Sequence, residues 1–209
     1  MKEDVLNAFD SRAADYDEWF DRHPVIFQNE LKALKKAIPG GGKGIEIGAG
    51  TGRFASAIGI PVGIEPSQSM ANIAMTRGIT VINAKAELLP FHSESFDYVV
   101  MVTTVCFLDD IPKAFREAYR IIKRKGRFIA AIIDKESKLG KQYEAEKETN
   151  PWYRDAHFHT VGEITGMLQA SGFTSFEYWQ TLFNNIEQKE EVLPGYGQGS
   201  FVVISAGKI

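Results

Sequence analysis

The chain has 209 residues, with 24 Lys and Arg against 27 Asp and Glu, a formal charge of −3. That length suits one domain with additions better than two, and the mild acidity lacks the basic footprint of a protein that grips nucleic acid by its phosphates. The lone cysteine, Cys106, excludes an intrachain disulfide and a multi-cysteine zinc site, and no apolar run reaches the ~18 residues that span a bilayer. The start, Met1-Lys2-Glu3-Asp4, is polar and acidic with no apolar signal-peptide core, which predicts a cytoplasmic protein.

Residues 1–20 hold six acids and two bases, interleaved with Phe9, Tyr16, Trp19 and Phe20. A solvated tail has no use for those rings, so the stretch predicts a helical arm lying over the body of the protein. Phe27, Leu31, Leu34 and Ile38 share one helical stripe, which Pro39 and three glycines terminate. From Gly44 the rhythm changes. Gly44–Ile47, Val62–Glu65, Ile79–Ile82, Phe96–Val102 and Arg127–Ile133 read as five short apolar strands. Between them, Ser67 caps a helix reaching Gly78. Asp109 and Asp110 cap another, with Ile111, Ala114, Phe115, Ala118, Ile121 and Ile122 on one face and Gly126 as its end. Strands alternating with helices at this spacing imply βαβ units and a parallel sheet buried on both faces.

Beyond Asp134 the pattern breaks. Residues 135–148 carry four lysines and four glutamates, an exposed and neutral helix or loop. An aromatic and histidine cluster follows: Trp152, Tyr153, His157, Phe158 and His159. Thr160 to Glu163 has the form of a capping box, opening a helix that reaches Gly172. Thr174–Phe183 and Gly199–Ala206 then alternate like an antiparallel hairpin whose loop holds Pro194 and Gly195.

The informative segment is Glu46-Ile47-Gly48-Ala49-Gly50-Thr51-Gly52, between a strand and a helix. Its glycines allow a sharp turn and let a ligand approach bare backbone. A tight turn that binds nothing would use the same residues. Glu65, at the tip of the second strand, sharpens the reading, because a carboxylate there accepts from both hydroxyls of an adenosine ribose. A dinucleotide pattern needs a small residue where Arg53 stands, and no Gly-Lys-Ser/Thr follows to make a phosphate loop. A nucleoside cofactor without a pyrophosphate fits better.

Five segments in order then resemble the class I S-adenosylmethionine-dependent methyltransferases, in the type 11 group that includes ubiquinone/menaquinone-biosynthesis enzymes. They are Glu46–Phe54, Val62–Met70, Ala86–Phe91, Phe96–Val100 and Tyr119–Arg127. Ala13–Asp17 looks like that group's N-terminal arm. The resemblance implies an α/β, Rossmann-like fold: a mostly parallel seven-stranded sheet with an antiparallel C-terminal hairpin and helices on both faces. It implies one domain over 1–209, with a helical cap (1–38), a cofactor-binding core (43–134), a lid and helix (135–173) and the hairpin (174–209). It implies S-adenosyl-L-methionine as cofactor, S-adenosyl-L-homocysteine as product and a small-molecule acceptor. Gly48, Ala49, Gly50 and Gly52 would wrap the methionine part, with Glu46 beneath. Glu65 would hold the ribose, Pro66 and Met70 would flank the adenine, and Ala86 and Glu87 would meet its edge. Val102 and Thr103 would face the methionyl group, and Tyr16 would close the site.

Two departures stand out. The order Asp-Ala-Glu common in the group becomes Lys85-Ala86-Glu87, and a lysine ammonium donates but cannot accept from the adenine amino group. A backbone carbonyl or Glu87 accepts instead, or adenine binding differs. Lys125 replaces the usual proline before Gly126, which reads as turn chemistry. Methyl transfer from a sulfonium is a direct displacement, so an amine or hydroxyl acceptor needs at most a base. The candidates are His157, His159 and Tyr16. The spacing of the two histidines also admits metal ligation with Asp155 near, although no third strong ligand is evident. Two other classes stay open: a fold that binds the cofactor without turnover, favoured by Lys85, and a nicotinamide-dependent oxidoreductase, disfavoured by Arg53. Oligomeric state leaves no trace in the sequence.

Overall fold

A computed structural model describes residues 3–150, 152–183 and 188–209; Met1 and Lys2, the first half of the polar start, lie outside them. Helices α1 (Glu3–Ser11), α2 (Ala13–Arg22) and α3 (Pro24–Ala37) open the chain. The sheet strands follow: β1 (Gly44–Ile47), β2 (Val62–Ile64), β3 (Thr80–Ile82), β4 (Phe96–Val102) and β5 (Ile122–Ile133), then β6 (Thr174–Thr181), β7 (Leu193–Pro194) and β8 (Phe201–Gly207). Between them lie α4 (Arg53–Ala57), α5 (Gln68–Thr76), α6 (Ile111–Ile121), α7 (Lys138–Glu146) and α8 (Val161–Ala170). The sheet order is β3-β2-β1-β4-β5-β8-β6-β7. The first five strands are parallel, while β8 runs antiparallel between β5 and β6.

The near-continuous apolar strands follow from burial on both faces. Along β5, Phe128, Ala130 and Ile132 point to one core, and Ile129, Ala131 and Ile133 to the other. The first core takes α6 through Ala114, Phe115, Ala118 and Ile121, and α8 through Val161, Ile164 and Leu168. The second takes α3 through Ile26, Leu31 and Leu34, and α4 through Phe54 and Ala55. The capping box at Thr160 and Glu163 is formed in both directions, at 3.1 and 2.8 Å.

Two expectations are corrected. The sheet has eight strands, because part of the expected hairpin loop pairs with β6 through Gln180–Leu193 and Trp179–Pro194. Pro194 is tolerated because this is the sheet edge, where no neighbour needs its missing amide hydrogen. The second correction concerns Gly126, which does not end α6. The helix stops at Ile121 and β5 begins at once, with a register shift opposite Phe96–Tyr98. Gly126 serves close approach there: a Cβ would lie 2.5 Å from the Asp97 carbonyl oxygen. Lys125 beside it has φ +64° and donates its amide to the Lys208 carbonyl at 2.9 Å. Proline permits neither, which explains that departure from the family pattern.

Candidate active site

The parallel strand order reverses direction at β1, flanked by β2 and β4, and the loops beyond the carboxyl ends of these strands form a crevice. The glycine loop turns there. Gly48, Gly50 and Gly52 have φ of +73°, +54° and +78°, the left-handed region that glycine enters freely. The amides of Gly48 and Ala49 both donate to the Ile64 carbonyl, at 2.8 and 2.9 Å, tying the loop to β2. Gly48 is sterically required as well, since a Cβ would meet the Thr104 Cγ2 at 2.4 Å.

Glu65 closes this loop. One carboxyl oxygen accepts from the Gly50 amide at 2.8 Å and the other from the Ser67 amide at 2.9 Å. Burial pushes its carboxyl up to about 7, against the lowering effect of those two amides. Sequence reasoning saw Glu65 only as a ligand contact; its grip on the loop backbone depends on a fold contact across 15 residues.

A cavity of about 660 Å³ opens over the loop. Tyr16, Gly48, Gly50, Glu65, Pro66 and Met70 are among the residues that line it, as are Lys85, Ala86, Glu87, Val102 and Thr103. Glu46, Ala49 and Gly52 are not among the residues that line it. Glu46 is fully buried, with its Oε2 lacking a partner among the described residues, and burial pushes its carboxyl up to about 8. Glu87 accepts from the Asp109 and Asp110 amides at 3.1 and 3.5 Å, so it also holds the turn before α6. Thr103 has φ +49°, a strained value for a β-branched residue. The strain falls where the end of β4 meets the cavity.

A second cavity, of about 1530 Å³, adjoins the first and shares Phe9, Tyr16, Thr103 and Phe107 with it. Its walls are the two aromatic sets read separately in the sequence. Trp152 packs against Phe9 and Tyr16 at 5.9 and 5.6 Å between ring centroids, and Tyr143 stacks on Tyr153 at 4.3 Å. Cys106 lines this cavity, and burial pushes its thiol up to about 12, so it is held as the unreactive thiol.

The three candidate bases separate. His159 lines the second cavity, and burial lowers its pKa although Glu163, at 3.6 Å, opposes the shift. It is therefore neutral at pH 7 and able to take a proton. His157 is exposed and lines neither cavity. Its neighbours Ala156 and Phe158 are the buried residues of this stretch. Among the described residues no cluster of three His, Cys, Asp or Glu is placed to hold a metal. Tyr16 lies between the cavities. Burial, with Glu30, Glu46 and Glu65 nearby, pushes its phenol well above the ordinary value, which makes it a donor and not a base.

Arg53, read in the sequence only as an argument against a dinucleotide, fastens α2 over the site. Its guanidinium donates to both Asp17 oxygens at 2.9 and 2.8 Å and to both Asp21 oxygens at 2.7 and 2.8 Å. Arg77 adds a bond to Asp17 at 2.7 Å. Against the cost of burial, these cations hold Asp17 down at about 2. Asp10 fastens α1 in the same way, accepting from Ser67 Oγ at 2.6 Å and the Ser69 amide at 3.0 Å. Such pairs join segments more than 30 residues apart, which no local pattern reports. Arg53→Ala is expected to speed amide hydrogen exchange in Ala13–Arg22 about tenfold. Unchanged exchange would mean that the packing of Phe20 on Phe54 suffices to hold α2.

The family model described as a methyltransferase domain matches residues 45–130. An uncharacterized protein of Methanocaldococcus jannaschii is 46% identical over 98% of this chain and 100% of its own length. A malonyl-[acyl-carrier protein] O-methyltransferase of Geobacter sulfurreducens is 30% identical over 83% of this chain and 71% of its own length. A crystal structure from Thermotoga maritima, described as a SAM-dependent methyltransferase and "possible histamine N-methyltransferase", superposes with a TM-score of 0.94. It is 44% identical and covers 97% of this chain and 99% of that one. These relatives remove the nicotinamide alternative. Together with the glycine loop and the acid at the tip of β2, they show that the chain belongs to the class I S-adenosylmethionine-dependent methyltransferases, in the type 11 group, with S-adenosylmethionine as its cofactor.

Proposed function

We propose that the protein transfers the methyl group of S-adenosylmethionine to a small-molecule acceptor held in the second cavity, by direct in-line displacement. The observation that carries this reading is the junction of the two cavities at Phe9, Tyr16, Thr103 and Phe107. The cofactor supplies a methyl group on a sulfonium whose leaving thioether is neutral. The residues present fit it: backbone without Cβ atoms at Gly48 and Gly50 faces the first cavity, and Glu65 offers acceptors to a ribose. In this reading Pro66 and Met70 flank the adenine, and the backbone of Ala86 and Glu87 meets its edge. Lys85 contributes no acceptor from its side chain, and its carbonyl already accepts from the Leu88 amide at 3.0 Å. Residues 1–38 act as a cap and 135–173 as a lid, with 43–134 as the cofactor core and 174–209 as the supporting hairpin.

The protein's part in the reaction is positioning and exclusion of water. Holding the acceptor atom in line with the carbon–sulfur bond contributes several kcal/mol, ~7–11 at the upper end. His159, neutral and on the wall, takes the proton of an acceptor that has one to lose. Isothermal titration with S-adenosylmethionine tests the binding step, and a product assay for S-adenosylhomocysteine with candidate acceptors tests turnover. Tight binding with no turnover of any acceptor would favour the non-catalytic reading that rests on Lys85.

The two-cavity assignment predicts a split. Trp152→Ala removes a ring from the second cavity alone, so it is expected to raise the acceptor KM about tenfold, on the order of 1.4 kcal/mol of lost aromatic contact. The dissociation constant for the cofactor is expected to stay within about twofold. Equal losses on both measurements would mean that Trp152 shapes the cofactor site.

A further inference from the structure

Among the described residues, one acid lines the second cavity. Glu30 is carried on the buried face of α3 and forms part of the cavity wall, with only 7% of its surface exposed. Its neighbour Asn29 is paired, donating to the Gln188 carbonyl at 2.8 Å and accepting from the Glu190 amide at 3.0 Å. Glu30 has no hydrogen bond and no ion pair among the described residues. Among the described residues, no lysine or arginine lines this cavity. Burial pushes its carboxyl up to about 8, so on its own it holds its proton near neutral pH and ionises against an arriving cation; a leucine would serve the packing of α3 better. The rings of Trp19, Phe20, Tyr143, Trp152 and Tyr153 make up much of the remaining wall, with Gln142, Asn150 and His159 among its polar members.

None of the described residues supplies a partner for Glu30, and the wall selects the charge of a ligand that would. Aromatic faces attract cations, and a carboxylate in a dry site discriminates strongly for a group that carries the complementary charge and N–H donors. An anion would meet an acid and no lysine or arginine among the described residues of the wall. We infer that the acceptor is an amine bound as its cation, with its ammonium against the Glu30 carboxylate and its apolar body among the rings of Trp19, Trp152 and Tyr153. This rests on the second cavity being the acceptor site. Glu30 is then a specificity-determining residue, separate from the cofactor contacts and from His159.

The experiment compares two probes of one shape, 2-phenylethylamine and 2-phenylethanol. Each is titrated by tryptophan fluorescence into the protein saturated with S-adenosylhomocysteine at pH 7.5. The wild type is expected to bind the amine at least tenfold more tightly than the alcohol. Glu30→Gln is expected to bring the two within twofold, with the alcohol's affinity and that of S-adenosylhomocysteine unchanged; Glu30→Met gives the same answer if the glutamine variant folds poorly. Equal affinity of the wild type for both probes, binding of neither, or a preference that survives both Glu30 variants overturns the inference. Trp152→Ala separates the two levels. If it weakens both probes while the Glu30 variants leave the amine preference intact, the cavity stands and the Glu30 assignment falls. If the amine preference and affinity survive Trp152→Ala as well, the probes bind elsewhere and the acceptor-cavity reading falls with it.

Discussion

Glu65→Ala is expected to raise the dissociation constant for S-adenosylmethionine about a hundredfold. The proposed ribose contact is two charge-assisted hydrogen bonds, each contributing ~1.5 kcal/mol or more, and about 3 kcal/mol is a factor of roughly a hundred. The alanine variant also releases the Gly50 amide, so the loop loses its fastening together with the ligand contact. Glu65→Gln separates these, because its one amide oxygen can still accept from Gly50 while the charge and the bond from the Ser67 amide are lost. The pH dependence provides a further check. Burial places the Glu65 carboxyl at about 7 in the cofactor-free protein. Two ribose hydroxyls donating to it favour the ionised form, so binding lowers that value and affinity is lost as pH falls. Titration calorimetry between pH 5.5 and 8.5 is expected to show a plateau above about 7 and a tenfold weakening per pH unit below it. The glutamine variant is expected to be weak and flat. A wild-type affinity independent of pH, or an alanine variant within twofold of wild type, would remove Glu65 from the ribose.

What the sequence disclosed and what it hid divide along physical lines. Periodicity reports burial, so the apolar runs of β1, β2, β4 and β5 and the stripe of α6 were legible one by one. Caps at Ser67, Asp110 and Thr160 were legible because each bond spans three residues. β7 was not, since two residues including a proline carry no alternation. Nor was the start of β5, where Gly126 resembles a helix stop and in fact permits the Asp97 carbonyl to approach. In the site, the glycine loop and Glu65 were legible because the ligand dictates residue types at a fixed spacing. Glu30 was invisible: a glutamate between Asn29 and Leu31 on an amphipathic helix reads as surface, and only the packing of α2, α3 and α7 around one space buries it. The strain at Thr103 has no sequence signature at all, because nothing in a threonine announces a left-handed backbone.

Glu46 yields the largest effect expected on stability. Its carboxyl lies beneath the glycine loop, with Oε2 unpartnered and the Ala55 backbone amide offsetting only part of the burial. The folded value is about 8 against 4.5 for the free side chain, so the folded chain holds a proton that the unfolded chain has released over that interval. The stabilising contribution is thus complete below pH 4.5 and is lost as pH rises through 8. Each pH unit of that interval carries ~1.4 kcal/mol, giving a loss on the order of 4 kcal/mol by pH 8.5. Glu46→Gln keeps the shape of the protonated acid and cannot ionise. Its Tm, measured without cofactor, is expected to match the wild type near pH 5 and to exceed it by about 10 °C at pH 8.5, at roughly 2–4 °C per kcal/mol for a domain of this size. Glu30 and Glu65 titrate in the same direction, so both curves still slope; the widening gap between them belongs to Glu46. Parallel curves would mean that Glu46 stays ionised in the folded protein and finds a counter-charge in the loop above it.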